Sequence, residues 1–308
     1  MPEGHTLHRL AAQIEDLFVG RRWRVSSPQG RFAAGAGRLD DRVPQRAEAW
    51  GKQLFVHLGP DIWQVHLGLY GAVSFRGDEH FAGAPTLGAP RARLEPPTVR
   101  RDEDGWVVPE PPRGAVRARL RTEHGWADLR GPATCAVLSV PEYERVVARL
   151  GPDPLRERAD VAHPDAAQAH AADPDPGPSG LETFARRLAR RRIPIAQALM
   201  DQSIVAGVGN IYRAESLFLE RLDPSLPAAE LSAESVAALW RRLGAQLRDG
   251  VAEGVIRTLR PEDASRHDPA RRHWVYQHQG SPCLRCGTVL AVRELQGRSL
   301  YWCPGCQG

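Results

Sequence analysis

Four cysteines near the carboxyl end carry the clearest chemistry in this chain. Cys283, Cys286, Cys303 and Cys306 follow the spacing C-x2-C-x16-C-x2-C, which lets two close pairs each supply half of a tetrahedral metal site. Zinc suits four thiolates, and such a site is structural because it keeps no position open for water or substrate. Two disulfides would use the same residues, but no secretion signal marks the chain for an oxidising compartment. VLAVREL and SLYW, between the pairs, read as a hairpin that carries one pair to the other. Arg298 would project from its turn, either towards a phosphate or simply into solvent. The fifth cysteine, Cys135, reads as a small buried hydrophobe.

Three further stretches raise chemical questions. Of 41 basic residues only Lys52 is a lysine. A chain this rich in Ala, Arg, Gly and Pro has the composition of a GC-rich genome, so Lys52 is either a chance survivor or a position where an ammonium cannot be exchanged for a guanidinium. In SIVAGVGN, Gly207 and Gly209 precede a helix whose positive end favours an anion, with Asn210 expected at the N-cap. The chain also opens Met1-Pro2-Glu3 and runs straight into a helix. By itself that is compatible with a start residue followed by a proline tolerated in the first turn.

The elements that must hold these residues follow from periodicity. Leu7, Leu10, Ala11, Ile14, Leu17 and Phe18 take helical spacing, so the first helix docks on a core from its first turn and fixes the N-terminus. From residue 23 to about 130 the pattern is of short strands, WRVSSP, KQLFVHLG, IWQVHLGLYGAVSF, VRARLRT and GWADLR, which predicts an antiparallel sandwich or barrel. PEYERVVARL is helical. Residues 159–180, rich in Pro, Asp and Ala, read as a mobile linker. LETFARRLARRR, IPIAQALMDQ, GNIYRAESLFLERL and SAESVAALWRRLGAQLRDGVAEG then predict a helical region.

Charge and hydropathy narrow the setting. The formal charge of +4 permits a polyanionic partner without requiring one. His8, Arg9, Gln13, Glu15 and Asp16 in the first helix exclude a signal peptide or a membrane span there, which predicts a cytoplasmic protein with no membrane partner.

Taken in order, the opening MPEG, the central QSIVAGVGNIYRAESLF and the finger ending GRSLYWCPGCQ resemble the formamidopyrimidine-DNA glycosylase and endonuclease VIII family over nearly the whole chain. The start PEGHTLHR is most similar to the actinobacterial endonuclease VIII-like branch. The resemblance implies an α+β, multi-domain protein. A catalytic β-sandwich with its leading helix would span 1–133, a helix and linker 134–180, a helix-two-turns-helix domain 181–280, and a zinc finger with one structural ion 281–308.

It also implies roles. The initiator methionine is removed and Pro2 becomes the nucleophile, forming an iminium at the sugar C1′; Glu3 moves a proton near the ribose ring oxygen. The positive end of the helix lowers the Pro2 amine pKa towards neutrality. Lys52 matches a strand lysine that contacts phosphate, and Asn210 and Arg298 match phosphate-gripping residues. Leu69 and Tyr70 are candidates for the wedge that fills the gap left by a flipped base, with plain strand core as the alternative for Leu69.

Two departures stand out. Asp128-Leu129-Arg130-Gly131-Pro132 lacks the phenylalanine usual in the formamidopyrimidine branch, and the linker is long for the family. The implied function is a bifunctional DNA glycosylase and abasic-site lyase of base excision repair. It would act as a nucleoid-associated monomer on double-stranded DNA containing oxidised bases or abasic sites, pyrimidines first. The alternatives are an oxidised-purine glycosylase and a non-catalytic binder of damaged DNA.

Overall fold

The computed structural model describes residues 2–89, 99–156, 179–264, 268 and 270–308. Of the expected linker, residues 159–178 lie outside this set, and Ser179 and Gly180 begin a helix. The chain divides into two compact units, Met1–Arg149 and Leu150–Gly308.

In the first unit α1 (Gly4–Phe18) is followed by β1 (Arg24–Ser26), α2 (Ala33–Leu39), β2 (Arg46–Trp50), β3 (Gln53–Leu58) and β4 (Asp61–His66). Then come β5 (Ala72–Gly77), β6 (Thr86–Gly88), β7 (Val116–Arg121), β8 (Gly125–Arg130), β9 (Thr134–Ser139) and α3 (Val140–Ala148). The strands form two antiparallel sheets, ordered β1-β7-β8-β5-β6 and β2-β3-β4-β9. Both contribute to one core: Leu54, Val56, Trp63 and Val65 from one sheet meet Val73, Phe75, Leu120 and Leu129 from the other. The apolar face of α1 closes it through Leu7, Leu10, Ile14 and Phe18, as the helical spacing requires. The boundary expected after residue 133 falls at the start of β9, which pairs with β4.

Several elements carry weak sequence signals. In β2, RAEAW, the charged Arg46 and Glu48 are half-buried and only Ala49 is fully buried, and every residue of β9 is half-buried, so neither reads as a core strand. IWQVHLGLYGAVSF reads as one run, yet it breaks into β4 and β5 at Leu67–Gly71. There the Gly71 N–H donates to the Leu67 carbonyl at 3.0 Å, and a Cβ on Gly71 would lie 2.2 Å from that oxygen.

The second unit contains α4 (Gly180–Leu188), α5 (Ile195–Ala198), α6 (Asn210–Leu219), α7 (Ala233–Glu253), β10 (Ala291–Leu295), β11 (Arg298–Trp302) and α8 (Pro304–Gln307). A capping box of Ser179 with Glu182 starts α4, and Ser232 caps α7, which ends on Gly254 at φ 69°. Phe184, Leu199, Ile204, Tyr212, Leu239, Trp240 and Leu243 form the core, joined by Leu300 of the hairpin. IPIAQALMDQ gives only the short α5, after which the chain from Leu199 to Gly209 proceeds by turns. The finger is anchored to this core rather than freestanding. Gln307 Nε2 donates to the Leu222 carbonyl at 2.9 Å, and its Oε1 accepts from Cys303 N at 2.9 Å.

Candidate functional site

The first group of chemical residues gathers at one end of α1. The Gly20 N–H donates to the Pro44 carbonyl at 2.9 Å, and the Ala47 N–H donates to Glu15 Oε2 at 2.5 Å. Residue numbers therefore fall along the helix as they rise along the strand, so α1 and β2 run in opposite directions. Glu15 back to Glu3 is about 18 Å of helix. Ala47 on to Trp50 is about 10 Å of strand, after which Gly51 and Lys52 turn the chain back into β3. The start of α1 and Lys52, in the turn joining β2 to β3, thus lie towards the same end of the first unit.

Both Pro2 and Glu3 are buried, Glu3 completely, which is unusual for a terminus. Glu3 is the α1 N-cap by backbone: its carbonyl accepts from Thr6 N at 2.9 Å, and its side chain makes no cap bond. Lys52 is half-buried.

One residue here was not singled out from the sequence. His66 ends β4, in register with Gln53 beside Lys52. Burial, and secondarily the Lys52 charge, pushes its pKa below that of an ordinary histidine, so it presents a neutral imidazole at neutral pH. The signal was a histidine at the strand end directly before the Leu67–Gly71 loop.

That loop holds Leu69 half-buried and Tyr70 78% exposed. Leu69 therefore lies outside strand core. Gly68 adopts φ 67°, and a Cβ there would meet the Ala133 Cβ at 2.9 Å, so the loop packs tightly on the 131–133 turn. Arg130, last in β8, donates to Ser74 Oγ at 2.6 Å and to Asp128 Oδ2 at 2.9 Å.

In the second unit the structure brings Asn210 next to the finger hairpin. Asn210 is the first residue of α6 and the N-cap is Gly209, one position earlier than expected. Its side chain does not cap. Asn210 Nδ2 donates to the Ser299 carbonyl at 3.0 Å, and its Oδ1 accepts from Arg213 Nη2, which also donates to Ser299 O at 3.0 Å. Ser299 follows Arg298, which is half-buried and pairs with Leu295 across a two-residue turn of Gln296 (φ 51°) and Gly297 (φ 69°). The Gly207 amide is taken by Gln202 Oε1 at 3.1 Å, so that glycine's donor is spent within the protein.

Nearby, Glu215 is fully buried and accepts from the backbone N–H groups of Trp274, Val275 and Tyr276, each at 2.8 Å. It ties the segment before the finger to α6.

The four cysteines converge, with all sulfurs within 4.8 Å of one another. Neighbouring Sγ separations of 3.9, 3.4 and 3.4 Å fit the edge of a Zn–S4 tetrahedron, about 3.8 Å for bonds near 2.3 Å. Cys283 and Cys303 are buried, and Cys286 is exposed. Hydrogen bonds from Thr288 hold Cys286 down to about 6, whereas burial pushes Cys303 and Cys306 up. A divalent ion supplies the charge that four converging thiolates need. The donor set and geometry fit one structural zinc ion.

Fold and finger together define a helix-two-turns-helix protein with a DNA-repair type of zinc finger. The family model described as the formamidopyrimidine-DNA glycosylase H2TH domain matches residues 170–260, and the zinc finger found in FPG and IleRS matches residues 280–308. Endonuclease 8 1 of Mycobacterium tuberculosis is 40% identical over 316 residues, covering 100% of both chains. Formamidopyrimidine-DNA glycosylase of Parasynechococcus marenigrum is 29% identical, covering 100% of this chain and 99% of its own. The crystal structure of the MutM (Fpg) protein of Thermus thermophilus superposes with a TM-score of 0.67 at 25% identity, covering 100% of this chain and 99% of the other. The chain belongs to the formamidopyrimidine-DNA glycosylase and endonuclease VIII family of DNA glycosylases and abasic-site lyases, on its actinobacterial branch.

Proposed function

We propose that this protein excises oxidised bases from duplex DNA, pyrimidines first, and cuts the strand through a Schiff base on Pro2. The observation that carries the reading is the buried start of α1, with Pro2 and a completely buried Glu3 towards the same end of the first unit as the turn that holds the only lysine of the chain. With Met1 removed, the Pro2 nitrogen lone pair forms a bond to C1′ while the C1′–N bond to the base breaks, and the departing base takes a proton. Glu3 gives a proton to the ring oxygen as the sugar opens, leaving an iminium between Pro2 and C1′. The iminium acidifies C2′; loss of that proton expels the 3′ phosphate, and water later releases the protein. Lys52 with the neutral His66 holds the neighbouring phosphate. Asn210 and Arg298, joined through the Ser299 backbone, grip the DNA backbone, and Leu69 and Tyr70 fill the gap left by the flipped nucleotide. We take the protein to act as a monomer at the nucleoid.

Support for pyrimidines comes from full-length similarity to a relative named endonuclease 8 rather than from any pocket geometry. The test is borohydride trapping of tag-free protein on duplexes carrying dihydrouracil, 8-oxoguanine or an abasic site, beside Pro2→Gly and an N-terminally extended form. The expected result is a covalent adduct that needs a free Pro2 and is strongest on dihydrouracil. A stronger adduct on 8-oxoguanine would move the protein to the purine branch, and tight binding with no adduct anywhere would leave only damage recognition.

A further inference from the structure

The second unit holds a cavity of about 270 Å3 that the chemistry above leaves unused. One face of α7 lines it at helical spacing, with Arg242, Ala245, Gln246 and Asp249, while Leu219 at the end of α6 and the half-buried Trp274 add apolar surface. Asn210, which meets the finger hairpin, starts α6, and Leu219 lies at its other end, about 14 Å along the helix. The cavity therefore stands away from the contacts assigned above to the DNA backbone.

Its polar lining is rich in donors, with four arginines against two aspartates. Three of the arginines are neutralised: Arg242 donates to Glu220 at 2.6 Å, Arg257 lies 3.5 Å from Glu253, and Arg260 reaches Asp249 at 2.7 Å and Glu253 at 3.1 Å. Arg285 differs. Its guanidinium stacks 4.6 Å from the ring centre of Phe218 and 4.9 Å from that of Trp274, gives one N–H to the Phe218 carbonyl at 3.4 Å, and pairs with no carboxylate among the described residues. A guanidinium stacked in this way keeps its other edge donors for a ligand. Gln246, 7% exposed, accepts from Ser216 Oγ at 2.6 Å through Oε1, while its Nε2 is buried and has no partner among the described residues. A buried donor without a partner marks the place of an acceptor atom or a water.

We propose that this cavity binds a small phosphate monoester of the sugar-phosphate class, its phosphate held by Arg285, Gln246 and Arg242 and its sugar lying against Leu219, Ala245 and Trp274. A tetrahedral oxyanion offers acceptors in several directions, as donors from three separate residues require, whereas a carboxylate offers two oxygens in one plane. The volume falls just short of the roughly 300 Å3 at which ordinary ligand pockets begin, which suits a sugar phosphate better than a complete nucleotide. Of the two acids, Asp249 is neutralised by Arg260, and Asp263 is exposed, where water and salt screen its charge. Arg285 stands between Cys283 and Cys286, so an occupant would tie the first turn of the finger to α7. Binding here does not depend on the Pro2 chemistry.

The test is calorimetric titration of full-length, tag-free, zinc-loaded protein with ribose 5-phosphate and with inorganic phosphate at fixed ionic strength. It is run on the free protein and on protein saturated with a duplex carrying an uncleavable tetrahydrofuran abasic analogue. Ribose 5-phosphate should bind at a single site, more tightly than inorganic phosphate, and as well with DNA in place as without it. Arg285→Gln and Gln246→Met should each weaken it about tenfold, the equivalent of one lost hydrogen bond to a charged group. A full complement of zinc and an unchanged circular dichroism spectrum show that each variant folds; should the buried Gln246→Met fail that check, Arg285→Gln, at an exposed side chain, decides. Binding that vanishes when DNA is present but survives Arg285→Gln would place the phosphate among the DNA-backbone contacts and overturn the inference, as would no binding of either probe. Equal affinity for the two probes would overturn the sugar-phosphate assignment.

Discussion

At the scale of single residues, chemistry here is decided by neighbours rather than by residue type. Lys52 survives in a chain with 41 basic residues, and it acts on His66 through its charge. Replacing it with alanine should slow single-turnover adduct formation about ten- to hundredfold, the kinetic equivalent of losing one charged hydrogen bond. Arginine should recover only part, because a planar fork does not occupy the place of a compact ammonium. In the alanine variant the His66 imidazole should titrate at higher pH by NMR, since one cause of its lowered pKa is gone. An unchanged rate would remove Lys52 from the mechanism.

Cys135 gives a contrasting case. Burial pushes its thiol up to about 11, despite an indole N–H from Trp63 at 3.4 Å. Thiolate is the reactive form, so at pH 8 the folded protein should alkylate with iodoacetamide far more slowly at Cys135 than the denatured chain does, as read by peptide mass spectrometry. Rapid labelling in the folded state would contradict this burial.

Among elements, α6 ties the second unit's helices to the finger hairpin and to the segment before it. Its Glu215 satisfies three consecutive backbone amides ahead of the finger, and its Asn210 and Arg213 share the Ser299 carbonyl on β11. Glu215→Ala would strand three buried donors, each costing about 1–3 kcal/mol. A loss of several degrees in Tm, measured by calorimetry on zinc-loaded protein, is expected; a shift of less than a degree would mean that water replaces the carboxylate fully. Sequence alone could read the helix and cysteines, because helical spacing and C-x2-C pairs are local patterns. It could not read Glu215, whose partners lie some 60 positions away. Nor could it separate N-cap from first turn at Asn210, since that choice is made by the contact with β11.

Across the whole molecule, acid should destabilise the protein in two stages. His66, His273 and His278 all have pKa values lowered by burial, so the unfolded chain binds protons first once pH falls below about 6.5. Stability is therefore full above that pH and is lost as pH drops through the lower folded values. Glu142, held down by the Ser139 backbone N–H and hydroxyl, adds a second loss below the ordinary carboxylate range near 4. Urea midpoints should fall between pH 7.5 and 5.5; a flat profile across that interval would show that the buried imidazoles do not control it.

At this scale the sequence revealed the order of β-rich, helical and cysteine-bearing regions, since composition changes along the chain. It did not reveal β2, β6 and β9, whose residues are half-buried or too few for a pattern.

The antiparallel run of α1 along β2 also bears on how the molecule can be handled. The chain has two kinds of amino group, its α-amine and the side chain of Lys52, and that run brings both towards one corner of the first unit. On the mechanism proposed for Pro2 and Lys52, coupling to a sensor chip or a fluorophore through amines should block the reaction instead of decorating the surface at random. Conversely, an amine-selective affinity reagent would face almost no background, so acylation followed by mass spectrometry becomes a footprint of whatever occupies that corner.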